Sequence, residues 1–122
     1  MKNIVIIGGT KGIGKAIVSE VVDNNNVVCL SRNQTDFSHD NYTFHNFDAL
    51  VDDYPDFESV DCLIYCPGSI NLKPISTLSL DDFRNDFELN VIGAVRAIKK
   101  YLNLLKKSDS ASILLFSTVA TK

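Results

Sequence analysis

Short apolar runs recur along the chain and are separated by polar or glycine-containing segments. Residues 3–7, 27–30, 62–66 and 113–116 are apolar at nearly every position. Runs of this length without strict alternation are typical of parallel strands covered on both faces. Residues 42–47 alternate more loosely and predict a weaker strand, the third in chain order. The hydrophobic pattern therefore predicts a parallel sheet whose last strand, like the first, suits burial on both faces.

Two segments between these runs show helical periodicity. Apolar side chains repeat at helical spacing over residues 13–22 and again, for longer, over residues 83–105. Ser79 stands three positions before Asp82, a pair that resembles a capping box at the start of the second segment. The pattern predicts a first helix directly after the first strand and a continuous long helix before the last one.

The connection over residues 48–60 is short and contains Pro55. It predicts only a reduced crossover helix, because proline disrupts a helix interior. Strands that alternate with helices indicate an α/β fold with a doubly wound parallel sheet and the strand order 3-2-1-4-5. We expect one domain over residues 1–122, with its ligand beyond the carboxyl ends of the strands.

Composition and charge restrict the classes of partner. The chain has 122 residues, of which 45% are hydrophobic and 22% charged, and its net charge is −3. This is the composition of a globular protein, and it lacks the broad basic field that attracts nucleic acid or anionic lipid. The apolar runs are far shorter than the roughly 20 residues that span a bilayer. We therefore expect no nucleic-acid partner and no membrane association, and the few residues before Gly8 leave no room for a signal peptide.

The thiols and imidazoles predict neither a disulfide framework nor a metal site. Cys29, Cys62 and Cys66 all lie in apolar runs, which suits reduced core thiols and a cytoplasmic location. His39 and His45 have no cluster of cysteines or carboxylates at ligand spacing beside them. We expect both histidines to be ordinary loop and strand-edge residues.

A cluster of glycines at residues 8–14 joins the first strand to the first helix. Backbone N–H groups and the helix dipole favour an anion at such a junction. The spacing is Gly-x-x-x-Gly-x-Gly, which differs from the Gly-x-Gly-x-x-Gly dinucleotide fingerprint. Read from Gly9, the segment approximates a P-loop, but Ala16 lacks the hydroxyl that such a loop offers to magnesium. A third interpretation is that the glycines serve only a tight turn.

The pattern Gly8-x-x-x-Gly12-x-Gly14 resembles the nucleotide-binding turn of the short-chain dehydrogenase/reductase family. This resemblance implies a Rossmann fold in which the three glycines let the backbone approach a pyrophosphate. Asp48-Ala49, after the third strand, resembles the family's adenine-binding position. Further similarities follow in the family's order along the whole chain.

Similar positions continue through the second half of the sequence. Cys66-Pro67-Gly68 stands where the family has the end of Asn-Asn-Ala-Gly, and its glycine matches. Asn90 begins an Asn-Val-Ile-Gly segment similar to the family's Asn-Val-x-Gly, whose asparagine holds a water of the proton relay. Thr118 occupies the position of the catalytic serine. The resemblance thus implies Asn90 and Thr118 as catalytic residues. It also implies that four residues form part of the wall of the cofactor site: Cys66, Pro67, Gly68 and Asn90.

The cofactor implied by the resemblance is NADP rather than NAD. Ser31-Arg32 ends the second strand, where an NAD-preferring enzyme usually carries an acidic residue for the ribose. Arg32 suits a 2′-phosphate, and Lys11 in the glycine turn adds a second cation. Thr10 and Ile13 are expected to supply further contacts in the turn.

The activity implied is hydride transfer between nicotinamide and a small carbonyl or secondary alcohol substrate, by a homo-oligomeric enzyme. The family's Tyr-x-x-x-Lys pair does not occur, because none of the four tyrosines has a lysine four positions later. The chain therefore resembles the cofactor-binding front half of a longer enzyme, lacking its C-terminal strands, and we expect no turnover from residues 1–122 alone. The alternative is a nucleotide-binding module or sensor without chemistry.

Overall fold

The computed structural model describes residues 1–67 and 76–116, which build one sheet and the helices beside it. Its strands are β1 (Asn3–Ile7), β2 (Asn26–Ser31), β3 (Tyr42–Asn46), β4 (Cys62–Tyr65) and β5 (Ser112–Leu115). All four strand pairings are parallel, and the order is β3-β2-β1-β4-β5. The predicted doubly wound α/β architecture and its 3-2-1-4-5 order are confirmed.

Core side chains pack on both faces of the sheet, which explains the unbroken apolar run of β1. Ile4 and Ile6 point to one face and pack with Val18 and Val22 of the first helical segment. Val5 and Ile7 belong to a second cluster, which contains Tyr101 of the long helix. Since each face of β1 is covered, successive residues of the strand are buried. Because β1 is the central strand, its carboxyl end lies in the middle of the carboxyl edge of the sheet.

The helices are α1 (Gly12–Val21), α2 (Leu80–Phe87) and α3 (Gly93–Lys106). Helix α2 begins with the predicted capping box, in which the Ser79 hydroxyl accepts from the Asp82 amide and the Asp82 carboxylate accepts from the Ser79 amide. The predicted continuous helix is interrupted, however, by a π-helical turn over Glu88–Ile92. Such a turn carries one extra residue, and apolar periodicity does not reveal it.

The predicted reduced helix over residues 48–60 is wrong, because a turn and chain without regular secondary structure occupy this connection. Its aromatic side chains pack on the core instead: the Tyr54 ring lies 4.6 Å from Phe47, and the Phe57 ring lies 5.6 Å from Tyr101. The Tyr101 hydroxyl donates to the Pro55 carbonyl at 2.7 Å. The burial of these rings and the hydrogen bond to that carbonyl stabilise this irregular path in place of helical hydrogen bonds.

Strand β5 is one of the two edge strands of the described sheet, as its place in the order predicts. Its burial on both faces does not occur, since Ile113, Leu114 and Leu115 are 41%, 42% and 51% exposed. The physical reason is position: only β4 flanks it among the described residues. The apolar composition of a strand shows that its side chains can be buried, whereas the neighbouring elements decide how many of them are.

The three thiols are free, but only Cys29 is fully buried; Cys62 and Cys66 are half-buried. No helix among residues 1–67 and 76–116 is long and apolar enough to cross a membrane.

Candidate functional site

A cleft opens where β1, β2, β3 and β4 end, at the carboxyl edge of the sheet. It is lined by the glycine turn, the segments after β2, β3 and β4, and one residue of the π-helical turn. The lining residues are Ile7, Gly8, Thr10, Lys11, Leu30, Ser31, Arg32, Asn33, Phe47, Asp48, Ala49, Leu50, Cys66, Pro67 and Leu89. In a doubly wound sheet this edge is where ligands bind.

The glycine turn packs against its neighbours through the glycines at its two ends. Gly8 has a φ of +83°, and a Cβ there would lie 2.9 Å from the Pro67 nitrogen. A Cβ on Gly14 would overlap the Gly8 carbonyl oxygen. Gly12, with a φ of +54°, has open space where its Cβ would be. The first and last glycines thus let strand, turn and helix approach closely, and Gly12 leaves the outer side of the turn bare.

Thr10 joins this turn to the end of β2. Its side chain is buried, with 5% of the residue exposed, and its Oγ1 shares a hydrogen bond of 3.0 Å with the Ser31 Oγ. The Gly8 amide donates to the Leu30 carbonyl at 2.8 Å. These two bonds hold the turn beside the end of β2, so that residues from both segments line one cleft.

Two cations lie along this part of the cleft. Lys11 follows Thr10 in the turn, and Arg32 follows Ser31 at the end of β2; both side chains are exposed. Neither makes an ion pair with another residue of the described chain. Both charges are therefore available to an anionic group of a ligand.

The segment after β3 forms a turn around Asp48. The Asp48 carboxylate accepts from the Leu50 amide at 2.9 Å, and the Asp48 amide donates to the Asp52 carboxylate at 2.6 Å. Ala49 is buried between them and lines the cleft. The turn holds Asp48 at the cleft with a carboxylate already engaged by one backbone amide.

The segment after β4 forms the opposite side of the cleft. The Cys66 amide donates to the Ile7 carbonyl at 2.8 Å, which continues the pairing of β4 with β1. Burial raises the pKa of the Cys66 thiol to about 11, so the thiol is neutral at physiological pH. It contributes an uncharged wall rather than a nucleophile.

The cleft thus includes nine of the predicted cofactor residues and leaves others outside. Gly12, Ile13 and Gly14 do not line it, although they belong to the same turn and to α1. Asn90 is exposed on the π-helical turn, next to the lining residue Leu89. Two predictions, Gly68 for the cofactor and Thr118 for catalysis, lie outside the described residues.

Sequence reasoning missed the apolar part of the lining. Ile7 and Leu30 are strand-end residues, and their positions could have been inferred from the predicted strand boundaries. Leu89 has no such signal, because the π-helical turn brings it to the cleft from a distant part of the chain.

The alternative interpretations of the glycines differ in how they fit this geometry. Lys15, which a P-loop would place beside the phosphates, does not line the cleft. Within residues 1–67 and 76–116, no group of three or more histidine, cysteine or acidic side chains is arranged to hold a metal. His39 instead contacts Asp23, with its Nε2 3.0 Å from the carboxylate.

A glycine turn beside the central strand of a 3-2-1-4-5 parallel sheet, with a ligand cleft at the carboxyl edge, defines a Rossmann-type fold. The sequence profile of the family described as short chain dehydrogenase matches residues 34–122, well over half of the chain. The chain belongs to this family. No curated protein sequence matches it significantly.

Solved structures show the same fold over nearly the whole chain. Aldohexose dehydrogenase from Thermoplasma acidophilum, in ligand-free form, is 24% identical with a TM-score of 0.85. The match covers 97% of this chain and 49% of the dehydrogenase chain. A short chain dehydrogenase from Leptospira borgpetersenii with bound NAD+ is 19% identical, with a TM-score of 0.83 and coverages of 97% and 52%. A short chain dehydrogenase family protein from Francisella tularensis is 25% identical, with a TM-score of 0.84 and coverages of 100% and 54%. The chain spans about half the length of these structures.

Proposed function

We propose that the protein is an NADP-dependent oxidoreductase that transfers a hydride between the nicotinamide and a small carbonyl or secondary alcohol substrate. The cofactor preference rests on two cations that line the cleft near the end of β2, Lys11 and Arg32, neither of which is in an ion pair with another described residue. A 2′-phosphate on the adenosine ribose is an anion that such a pair would recognise. Family membership supports the redox chemistry.

The residues of the cleft fit a dinucleotide. Beside the cleft lining, a Cβ on Gly12 would have no contact within 4 Å among the described residues outside its own turn and helix, so a phosphate can approach the bare backbone there. Asp48 and Ala49 would contact the adenine end, and Cys66 and Pro67 the other half of the cofactor. When bound, NADP supplies the carbon that accepts or donates the hydride. The chain's part is to hold the cofactor across the strand ends.

Asn90 and Thr118 are the residues that we propose for proton transfer, on the basis of the family resemblance. We also propose that the enzyme works as a homo-oligomer. A cytoplasmic location is proposed as well, because three free thiols suit a reducing compartment.

The tyrosines favour a second candidate, a nucleotide-binding module without turnover. The hydroxyls of Tyr54, Tyr65 and Tyr101 donate to backbone carbonyls, and burial raises the pKa of all four tyrosines, Tyr42 included. A buried phenol with a raised pKa and a structural hydrogen bond is a poor acid for a substrate oxygen. We therefore expect residues 1–122 to bind the nucleotide without oxidising or reducing substrate, and substrate-dependent oxidation of NADPH by this chain would contradict that.

Calorimetric titration of the protein with NADPH and NADH tests the cofactor proposal. We expect NADPH to bind at least about tenfold more tightly, because one charge-assisted hydrogen bond contributes about 1.5–3 kcal/mol. Arg32→Ala should reduce this preference while leaving NADH binding nearly unchanged. Arg84→Ala is the matched control, since Arg84 is exposed, lies outside the cleft and pairs with Asp81. Equal affinities for the two nucleotides in the unmodified protein would refute the NADP assignment.

A further inference from the structure

The π-helical turn changes which backbone groups bond to one another in the long helix. In an α-helix, the amide of Gly93 would donate to the carbonyl of Leu89, four residues earlier. Here the Gly93 amide donates to the Glu88 carbonyl instead. The carbonyl of Leu89 therefore loses its ordinary helical donor, and because it is partly shielded from water, another donor stabilises it.

Tyr65, the last residue of β4, supplies that donor. Its hydroxyl donates to the Leu89 carbonyl, and only 4% of the residue is exposed. A Cβ on Gly93 would overlap the Tyr65 hydroxyl oxygen, so glycine at this position makes room for the phenol. Burial raises the pKa of Tyr65 to about 12, which keeps the hydroxyl protonated and able to donate. Tyr65, Gly93 and the carbonyl of Leu89 thus form one structural unit.

This unit lies directly behind the cleft. Leu89 itself lines the cleft, and so do Cys66 and Pro67, which follow Tyr65 in the chain. Lys11 and Arg32 lie on the β2 side of the same cleft. An extended dinucleotide laid over the strand ends, with its 2′-phosphate near Arg32, would place its nicotinamide riboside half toward β4 and Leu89.

We propose that Tyr65 is a positioning residue for the β4 half of the cleft: its hydroxyl holds the π-helical turn so that Leu89 forms the wall against which the nicotinamide riboside rests. This inference rests on the proposed function, because it assumes a dinucleotide in the cleft. It assigns to Tyr65 a role that acts through Leu89, without contact between the phenol and the ligand.

The test compares a whole dinucleotide with its adenosine half. Affinities for NADPH and for adenosine 2′,5′-bisphosphate, which lacks the nicotinamide riboside, are measured calorimetrically for the unmodified protein and for Tyr65→Phe. We expect NADPH to bind about tenfold more weakly to the variant, because small displacements of a binding wall have effects of this size. Binding of adenosine 2′,5′-bisphosphate should stay within about twofold.

Tyr101→Phe is the matched control, since it also removes a buried hydroxyl that donates to a backbone carbonyl, that of Pro55, and Tyr101 does not line the cleft. Both ligands should bind to it as they bind to the unmodified protein. A general loss of stability would weaken the binding of both ligands to both variants, and that result would overturn the proposal. Equal binding of NADPH to Tyr65→Phe and to the unmodified protein would also overturn it.

A second variant keeps the proposal testable if Tyr65→Phe does not fold. Leu89→Ala leaves the backbone carbonyl and its tyrosine partner in place but removes the wall, and it should show the same selective loss of NADPH affinity. Loss of both ligands to the same extent would contradict the proposal.

Amide hydrogen exchange separates this proposal from the proposed function. If the unmodified protein bound neither ligand, the proposed function would fail. The Gly93 amide should nevertheless exchange about tenfold faster in Tyr65→Phe than in Tyr101→Phe if the hydroxyl holds the turn. Equal exchange in the two variants would overturn the role of Tyr65.

Discussion

At the scale of single residues, two glycines of the motif, Gly12 and Gly14, are alike in sequence but differ in their structural role. Gly14 faces backbone atoms of Gly8 and Gly9, so any side chain there would separate the helix from the turn. Gly12 has open space around its missing Cβ, and only its positive φ favours glycine. The motif contains both positions as glycine. In the structure, Gly14 is required by close packing and Gly12 by its backbone conformation.

Substituting alanine at the two positions should show this difference. Gly12→Ala is expected to cost about 1–2 kcal/mol of unfolding free energy, the usual cost of a left-handed conformation with a Cβ. Gly14→Ala should cost about 3 kcal/mol, because the backbone of the turn must move to relieve the overlap. Urea unfolding measures both values, and a larger loss for Gly12→Ala than for Gly14→Ala would contradict this assignment.

At the scale of secondary-structure elements, Asp61 joins three strands where they begin. Its carboxylate accepts from the Asn3 amide at 2.8 Å and from the Ser108 hydroxyl at 2.6 Å. Its backbone amide donates to the Asn3 carbonyl, and its carbonyl accepts from the Ser112 amide. One residue thus holds the starts of β1, β4 and β5 in register.

The Asp61 carboxylate should make the stability of the sheet depend on pH. The hydrogen bond from the Asn3 amide, and then that from Ser108, lowers the pKa of Asp61 below its ordinary value. A carboxylate with a lowered folded-state pKa stabilises the fold fully above its unfolded pKa of about 3.9, and this contribution is lost as pH falls through the folded value. Asp61→Asn should therefore lower stability at pH 7 and reduce the loss of stability on acidification.

Unfolding in urea at pH 7 and at a series of acidic pH values would measure this effect. Asp53→Asn is a suitable control, because Asp53 is exposed and makes no hydrogen bond or ion pair within the described residues. The same pH dependence in Asp61→Asn and in the unmodified protein would exclude Asp61 as its source.

At the scale of the whole molecule, β5 presents an apolar edge. Its side chains are exposed, together with Phe116 that follows it, and β4 is the strand that it pairs with. Unpaired backbone groups beside exposed apolar side chains favour the addition of another strand. We expect copies of residues 1–122 to associate with one another along this edge.

A lysine in β5 tests this expectation. Leu115→Lys should reduce the self-association of residues 1–122, because a charge at a strand edge opposes pairing, and it should cost some stability. Val51→Lys introduces the same charge at an exposed apolar residue away from β5 and should leave association unchanged. Sedimentation velocity over a range of concentrations measures both, and a chain that stays monomeric throughout would refute an associating edge.

Much of the fold could be predicted from the sequence because its signals are local. The buried run of β1, the glycine turn after it and the capping box at Ser79 each arise from residues close together in the chain. Ser31 and Arg32 could be placed at the cleft for the same reason, since the end of a predicted strand identifies the edge of the sheet. Local periodicity and turn chemistry were sufficient to place the five strands, the first helix and the start of the second helical segment.

What only the tertiary structure decided involves residues that are distant in the chain. The connection over residues 48–60 forms no helix, and its rings pack instead on Tyr101, a contact that no local pattern encodes. Leu89 reaches the cleft because a tyrosine at the end of β4 satisfies its carbonyl within a π-helical turn. Helical periodicity describes which face of a helix is apolar, whereas the partners of individual hydrogen bonds depend on which elements the folded chain brings together.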